Sequence, residues 1–394
     1  MRSFKPSPIR ALLFAQFLSA FVDNMIFVIA WAIIIRDQYP GYYLPLVQSM
    51  FFGVYIILSP WVGRLADKEP KAKVLIIGNM LKTLGVILLA VHVDPAVSYA
   101  VVGVGAVVYS PAKYGILPFL VRGEDELLRA NSSLESYTIV AILTGSVAGG
   151  YLSDISIVLA LGVCVLLYAL SIAINTYIPK DPGNRSMAYR HALQEFFADT
   201  SALLKMPQSH YSLWGTGSFW MTSSVLRLII FAWLPVTLGI HSGTKISMII
   251  AVTGVGIALG AMITPFFISM KTYTRTAWFG LAMAMCVFAF TLINTMPFTI
   301  LFLFLIGCFG GIFIVPMNAC LQQVGHTTVG AGKTIAVQNF VENSMSFAGV
   351  GIYTIATGAG VSVNVSVAVA GTVLLLFVTY LMLLARQKNV GCDC

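Results

Sequence analysis

Gly63-Arg64-Leu65-Ala66-Asp67-Lys68-Glu69-Pro70-Lys71-Ala72-Lys73 crowds charge into one short stretch between two apolar runs, 44–66 and 73–93. A run of ~20 apolar residues crosses the hydrocarbon core of a bilayer as a helix, so the charged stretch is a loop joining two spans. Outward from it the alternation repeats. The apolar windows are 11–36, 44–66, 73–93, 97–120, 135–154, 157–178, 210–239, 245–270, 274–295, 298–323, 330–358 and 362–385. The 394 residues are 58% hydrophobic and 10% charged, against about 25% charged in soluble domains. The reading is an all-α membrane protein of twelve transmembrane helices. Only 179–209 makes a long polar connection, and it separates six windows from six. The expected organisation is an N-terminal six-helix bundle (1–178), a central loop (179–209), a C-terminal six-helix bundle (210–386) and a tail (387–394).

Lysines and arginines orient the bundle. Arg2, Lys5, Arg10, Arg64, Lys68, Lys71, Lys73, Arg122, Arg129, Lys180, Arg185, Arg190, Lys205, Lys271, Arg275, Lys333, Arg386 and Lys388 fall on one side, and only Arg36 and Lys245 on the other. The positive-inside rule makes both termini and the central loop cytoplasmic. The net charge of +8 is thereby accounted for by topology and gives no support to nucleic-acid binding. The first window is too long for a cleaved signal and carries Asp23, so it reads as an uncleaved span. Cys164, Cys286, Cys308 and Cys320 lie in spans as small apolar residues, and Cys392-x-Cys394 reads as a terminal tail.

Asp23, Lys82, Lys113, Glu135, Arg227 and Glu342 interrupt otherwise apolar spans. Each costs roughly 2.5–3.5 kcal/mol at a helix centre, so each is expected to face an interior space rather than lipid. They belong to polar stripes at helical spacing: Gln16, Ser19 and Asp23 with Asn24; Tyr109, Ser110 and Lys113; Thr216, Trp220, Ser223, Ser224 and Arg227; Gln338, Asn339, Glu342 and Ser346. Both signs are present, which suits a zwitterionic or amphipathic solute. Arg forks onto phosphate and Asp takes an ammonium. For Lys82 and Glu135 a purely structural pairing is the competing reading.

The halves echo each other. Gly103-Val-Gly105-Ala-Val-Val-Tyr-Ser-Pro111 resembles Gly307-Cys-Phe-Gly310-Gly311-Ile-Phe-Ile-Val-Pro316, and Gly145, Gly149 and Gly150 have counterparts in Gly349 and Gly351. Those glycines serve equally as close helix contacts. In the opening loop, Asp67 can cap or pair with a neighbouring helix end while Arg64 and its basic neighbours hold the lipid surface, as a gate would, and a plain charged loop is the competing reading.

Other chemistries are weakly supported. Gly330-Ala-Gly332-Lys333-Thr334 echoes a phosphate-binding loop, but the first required glycine would fall at Thr327 and no strand precedes it. His92, His191, His210, His241 and His326 are not spaced for metal, and no nucleophile, metal set or cofactor loop emerges. The chain is expected to be no enzyme and to need no cofactor.

The loop and the paired halves resemble the major facilitator pattern, whose substrate site lies near midplane. More specifically, Ala15-Gln-Phe-Leu-Ser-Ala-Phe-Val-Asp-Asn24, Val102 through Leu117 with its Tyr-Ser-Pro-Ala-Lys-Tyr-Gly-Ile-Leu run, Gly145-Ser-Val-Ala-Gly-Gly150, Gly330-Ala-Gly332, Ile335-Ala-Val-Gln-Asn339 and Glu342-Asn343 resemble the bacterial lysophospholipid transporter family. The resemblance implies an inner-membrane protein that flips lysophosphatidylethanolamine and related lysolipids, lysophosphatidylglycerol among them, to the cytoplasmic leaflet. A partner acyltransferase using acyl-acyl carrier protein would rebuild diacyl lipid there. It implies charged cavity positions at Asp23, Lys113 and Arg227. Asn24, Tyr109 and Glu342 are expected to assist, and Asp67, Arg64, Lys82 and Glu135 to gate or support. The chain departs from the family with Val22, where relatives often have glycine, and with Lys333-Thr334. The expected mechanism is alternating access by a monomer, with the single acyl chain along apolar lining or protruding sideways into lipid. The alternatives are a proton-coupled exporter of a small drug-like or sugar solute and a membrane-embedded lipid enzyme.

Overall fold

The computed structural model describes residues 7–121, 124–184, 189–329 and 331–387. The side chain of Glu135 lies outside the described residues, as do Arg2, Lys5, Arg122, Arg185, Gly330, Lys388, Cys392 and Cys394 and the side chains of Arg129 and Lys271.

The described residues form fourteen α-helices, most of them joined by short connections. In order they are α1 (Pro8–Arg36), α2 (Tyr43–Lys68), α3 (Lys71–Ala90), α4 (Pro95–Gly115), α5 (Leu117–Leu120), α6 (Glu124–Ile155) and α7 (Ile157–Asn175). Then follow α8 (Ala192–Lys205), α9 (Pro207–Leu238), α10 (Gly243–Phe267), α11 (Thr276–Phe290), α12 (Met296–Thr328), α13 (Ala331–Gly358) and α14 (Val363–Gln387). Setting aside the short α5 and α8, twelve helices match the twelve apolar windows. Ten are long and apolar enough to cross a membrane by themselves. Of the other two, α11 has only 15 residues, and Gln338, Asn339, Glu342 and Asn343 interrupt α13.

Helix ends follow local chemistry. Pro8, Pro95 and Pro207 open α1, α4 and α9, where a missing N–H costs nothing. Asp94 caps α4 by accepting from the Ala96 N–H at 2.8 Å, and Ser156 caps α7 by accepting from Leu159. Gly239 ends α9 in the left-handed region, at φ 64°.

Two expectations change. The fourth window is not one helix: α4 stops at Gly115, and Leu117-Pro118 starts the separate α5. The connection 179–209 is not a plain polar loop, because α8 occupies its second half. Phe196 and Leu203 of α8 are buried with Leu213, Leu321 and Val337, and Phe196 meets Phe340 edge-on. Hydropathy misses such a helix because one apolar face on four turns is too short a signal for a span. Lys333 pairs with Asp199 at 2.9 Å and ties α13 to α8.

By internal contacts the chain divides into two compact units. The first comprises Met1–Tyr39, Met50–Leu193 and Ser242–Ser247, and the second Pro40–Ser49, Gln194–His241 and Met248–Cys394. Inside the first, α1 packs on α4, α6 and α7, while α3 packs on α4 and α7. Inside the second, α9 packs on α12, α13 and α14, while α11 packs on α12 and α14. The same pairings therefore occur twice, which is the structural form of the sequence echo. The glycines have matching uses: Gly145 and Gly149 lie against the backbone of Phe21 and Met25 in α1, and Gly349 lies against Met221 and Val225 of α9.

After α7 the chain returns across the base of the first unit. Gly183 has φ 61°, and a Cβ there would stand 2.6 Å from the Lys68 carbonyl oxygen. Gly183→Ala is expected to destabilise this unit by about 1–2 kcal/mol through left-handed strain. The check is a thermal melt in detergent, in which an unchanged midpoint would disprove the contact.

Candidate substrate site

In the first unit the polar stripe of α1 meets matching pairs from α3 and α7. Ser19 and Asp23 are one turn apart on α1, Asn79 and Lys82 on α3, and Tyr168 and Ser171 on α7, so each helix turns two polar groups to one face. The Lys82 Nζ donates to Asp23 Oδ2 at 2.7 Å and to Ser19 Oγ at 2.9 Å, and it stands 4.7 Å from the centre of the Tyr109 ring on α4. The Tyr168 hydroxyl donates to Asp23 Oδ1 at 2.6 Å. Ser19 donates to Asn79 Oδ1 (2.8 Å), Asn79 Nδ2 to Ser171 Oγ (2.9 Å), and Ser171 to the Ala15 carbonyl (2.8 Å).

A buried ion pair is tolerated only where its remaining donors and acceptors are also met. Lys82 meets this condition with a carboxylate, a hydroxyl and an aromatic face. The two charges differ in access: the Lys82 side chain is 2% exposed and that of Asp23 26%. Asp23 is thus the member of the pair that a solute can reach, and Lys82 holds it from behind. Beside them the buried Tyr109 hydroxyl and Asn175 side-chain amide lie against each other.

The other expected residues are distributed around this cluster. Asn24 turns its amide back onto its own helix, donating to the Ala20 carbonyl at 2.9 Å. Lys113, one turn beyond Tyr109, lies half-buried with its ammonium 4.7 Å from the Tyr114 ring centre. Arg64 is half-buried near the end of α2. Asp67 is exposed, and its contribution is its backbone carbonyl, which accepts from the Asn184 N–H at 2.9 Å. The carboxylate that caps α3 is Asp181, which accepts from the Lys71 N–H at 2.6 Å and pairs with the Lys71 ammonium at 2.9 Å. The reason is positional. Asp67 sits in the last turn of α2, where carbonyls are free, whereas a cap needs the free N–H groups of a helix start.

In the second unit a smaller cluster joins α9, α12 and α13. Gln338 Nε2 donates to Glu342 Oε1 and to Asn318 Oδ1, both at 2.8 Å, and the Thr216 hydroxyl lies beside the same carboxylate. Glu342 is 9% exposed. Arg227 lies half-buried on α9. Sequence reasoning did not single out Asn79, Tyr168, Ser171, Asp181 or Asn318. Each is an ordinary residue in its own window and acquires meaning from the helix opposite.

Residues 12–350 match the Major Facilitator Superfamily. Proteins named lysophospholipid transporter LplT from Yersinia pestis (strain Pestoides F) and Yersinia pseudotuberculosis serotype O:3 (strain YPIII) are each 40% identical over 348 residues, covering 88% of this chain and 86% of theirs. The chain belongs to the lysophospholipid transporter family of that superfamily. Its relatives are transporters, not enzymes. In fold it is similar to the nucleoside transporter NupG, with a TM-score of 0.73 at 12% identity over 97% of this chain and 100% of that one. A POT family transporter in complex with a thioalcohol-conjugated peptide also gives 0.73, at 10% identity over 96% of each chain.

Proposed function

We propose that this protein transports lysophospholipids, moving lysophosphatidylethanolamine and related lysolipids to the cytoplasmic leaflet of a bacterial inner membrane, where an acyltransferase reacylates them. The observation that carries the reading is the Asp23–Lys82–Tyr168 network in a chain 40% identical to lysophospholipid transporters. A carboxylate held by a sealed lysine and a tyrosine hydroxyl, yet itself partly exposed, offers a fixed acceptor for a head-group ammonium. The ammonium adds a second cation to Asp23 without having to desolvate Lys82, which stays buried throughout. Lys113 and Arg227 are the candidate residues for the charge that phosphate requires. Asn24, Tyr109 and Glu342 assist, Asp67 and Arg64 gate, and Lys82 positions Asp23. Transport proceeds by alternating access in a monomer with cytoplasmic termini, and the tail is admitted sideways from the bilayer. No nucleotide is consumed, so consumption of product inside sets the direction.

The test is flipping of labelled lysophosphatidylethanolamine in proteoliposomes, with and without a proton gradient. Wild type is expected to flip without a gradient, and Asp23→Asn and Arg227→Ala to lose roughly ten-fold or more, the scale of a deleted charge-assisted hydrogen bond. Flipping that occurs only with a gradient would favour a proton-coupled carrier instead. No flipping under either condition would overturn the lipid assignment.

A further inference from the structure

Tyr168 of α7 is wholly buried, yet its hydroxyl ends on the partly exposed Asp23. It donates to Asp23 Oδ1 at 2.6 Å, while Lys82 takes Oδ2 at 2.7 Å. The ring centre also stands 6.0 Å from the Lys82 ammonium. A buried ring in a close-packed interior has no room to swing, so its hydroxyl is a fixed donor.

This arrangement divides the carboxylate between two partners. An ionised carboxylate has about four acceptor sites, two on each oxygen. Tyr168 and Lys82 each occupy one, on different oxygens, and leave one on each for a solute. The lysine alone would give a different result. An ammonium is a compact charge with three rotatable donors, and it is drawn between both oxygens of an unshared carboxylate. Asp23 and Lys82 would then neutralise each other, with both oxygens turned to the lysine. By holding Oδ1, the Tyr168 hydroxyl keeps Lys82 on Oδ2 and leaves Asp23 able to accept from a further donor. Lys82 is satisfied in that place by Ser19 Oγ at 2.9 Å and by the face of the Tyr109 ring.

Helix α7 adds a second fastening. One turn from Tyr168, Ser171 donates to the Ala15 carbonyl of α1 at 2.8 Å. Ala15 and Asp23 are two turns apart, about 12 Å along the axis of α1. Two bonds at that separation hold α1 against rotation, which would otherwise turn Asp23 away from its partners.

We infer that Tyr168 is a positioning residue that makes the site prefer lysolipids with a primary ammonium over those with a neutral glycerol head group. The inference rests on the lysophospholipid reading above and adds a determinant of selectivity to it. An ammonium makes a charge-assisted bond to Asp23, roughly twice as strong as the bond from a glycerol hydroxyl. Presentation of the carboxylate therefore matters more to lysophosphatidylethanolamine than to lysophosphatidylglycerol, although both bring a phosphate and one tail.

The test is KM and turnover of flipping for these two lysolipids in proteoliposomes, wild type against Tyr168→Phe. The variant keeps the buried ring and loses only the hydroxyl, and a thermal melt in detergent verifies its fold. KM for lysophosphatidylethanolamine is expected to rise about ten-fold relative to that for lysophosphatidylglycerol, with turnover within about two-fold of wild type. Ser171→Ala removes a hydroxyl bonded to Asn79 and Ala15 from the same helix, and it is expected to keep the wild-type KM ratio. An equal rise for both lysolipids would show that the Tyr168 hydroxyl serves the fold alone and would overturn the inference. So would an unchanged ratio, or a shift of the same size in Ser171→Ala. A second comparison does not need the single variant to fold. Asp23→Asn and Asp23→Asn/Tyr168→Phe are expected to share one KM ratio, because no ionised carboxylate remains to be placed. A further shift in the double variant would overturn the inference. Wild-type flipping is measured in the same vesicles. Its absence defeats the lysophospholipid reading, and its presence with an unchanged ratio in Tyr168→Phe defeats the tyrosine's role alone.

Discussion

Replacing Lys82 by methionine is expected to be the most damaging single change in the first unit, costing about 3 kcal/mol, the lower end of the ~3–5 kcal/mol range for breaking a buried pair. The lower end applies because Asp23 keeps the Tyr168 hydrogen bond and is partly exposed, whereas the lysine is sealed. Ser19 also loses a donor, although its bond to Asn79 survives. The informative comparison is with the double variant Asp23→Asn/Lys82→Met. With both charges gone nothing ionised remains to be buried, so most of the lost stability should return. Transport should not return, because the reachable carboxylate is missing. Thermal melts and flipping assays on the two singles and the double read both effects. A double variant as unstable as Lys82→Met would show that the lysine acts by packing alone, and a double that transports would remove Asp23 from the head-group site.

The second large effect is expected at Asp181. Asp181→Ala removes the cap of α3 and a pair whose side chains are only 15% (Lys71) and 7% (Asp181) exposed. The cap alone is worth about 0.5–2 kcal/mol, and the shielded ion pair adds to it. Asp181→Asn keeps an acceptor for the Lys71 N–H and should retain much of the stability. Asp67→Ala removes a side chain from the exposed end of α2 and should leave the melting point near wild type, while slowing transport if it gates. The order Asp181→Ala well below Asp181→Asn, with Asp67→Ala highest, is the expected result. Equal losses at Asp67 and Asp181 would return the capping role to the loop between the second and third spans.

Much of the fold was legible because a bilayer imposes one strong rule: about twenty apolar residues or no span. All twelve windows correspond to helices, and the repeated pattern of helix contacts matches the echo between the Gly103–Pro111 and Gly307–Pro316 stretches. Where the rule does not apply, the reading was weaker. The helix α6 begins at Glu124, well before its apolar window at 135, because a helix can continue past the membrane where hydropathy cannot follow it. Helix α8 was invisible for the same reason.

The sequence by itself determined the membrane class, the number of spans, the two-fold repetition and the rarity of the charges inside. All of these are properties of one helix at a time, set by local composition and period. Only the tertiary structure decided which charge answers which. Nothing local links Asp23 to Lys82 and Tyr168, which lie 59 and 145 residues away. Their pairing depends on how α1, α3 and α7 rotate against one another. Nor could spacing reveal that Asp181, beyond the sixth span, returns to cap the third. A partner across space is fixed by packing, and packing is the sum of every helix face at once.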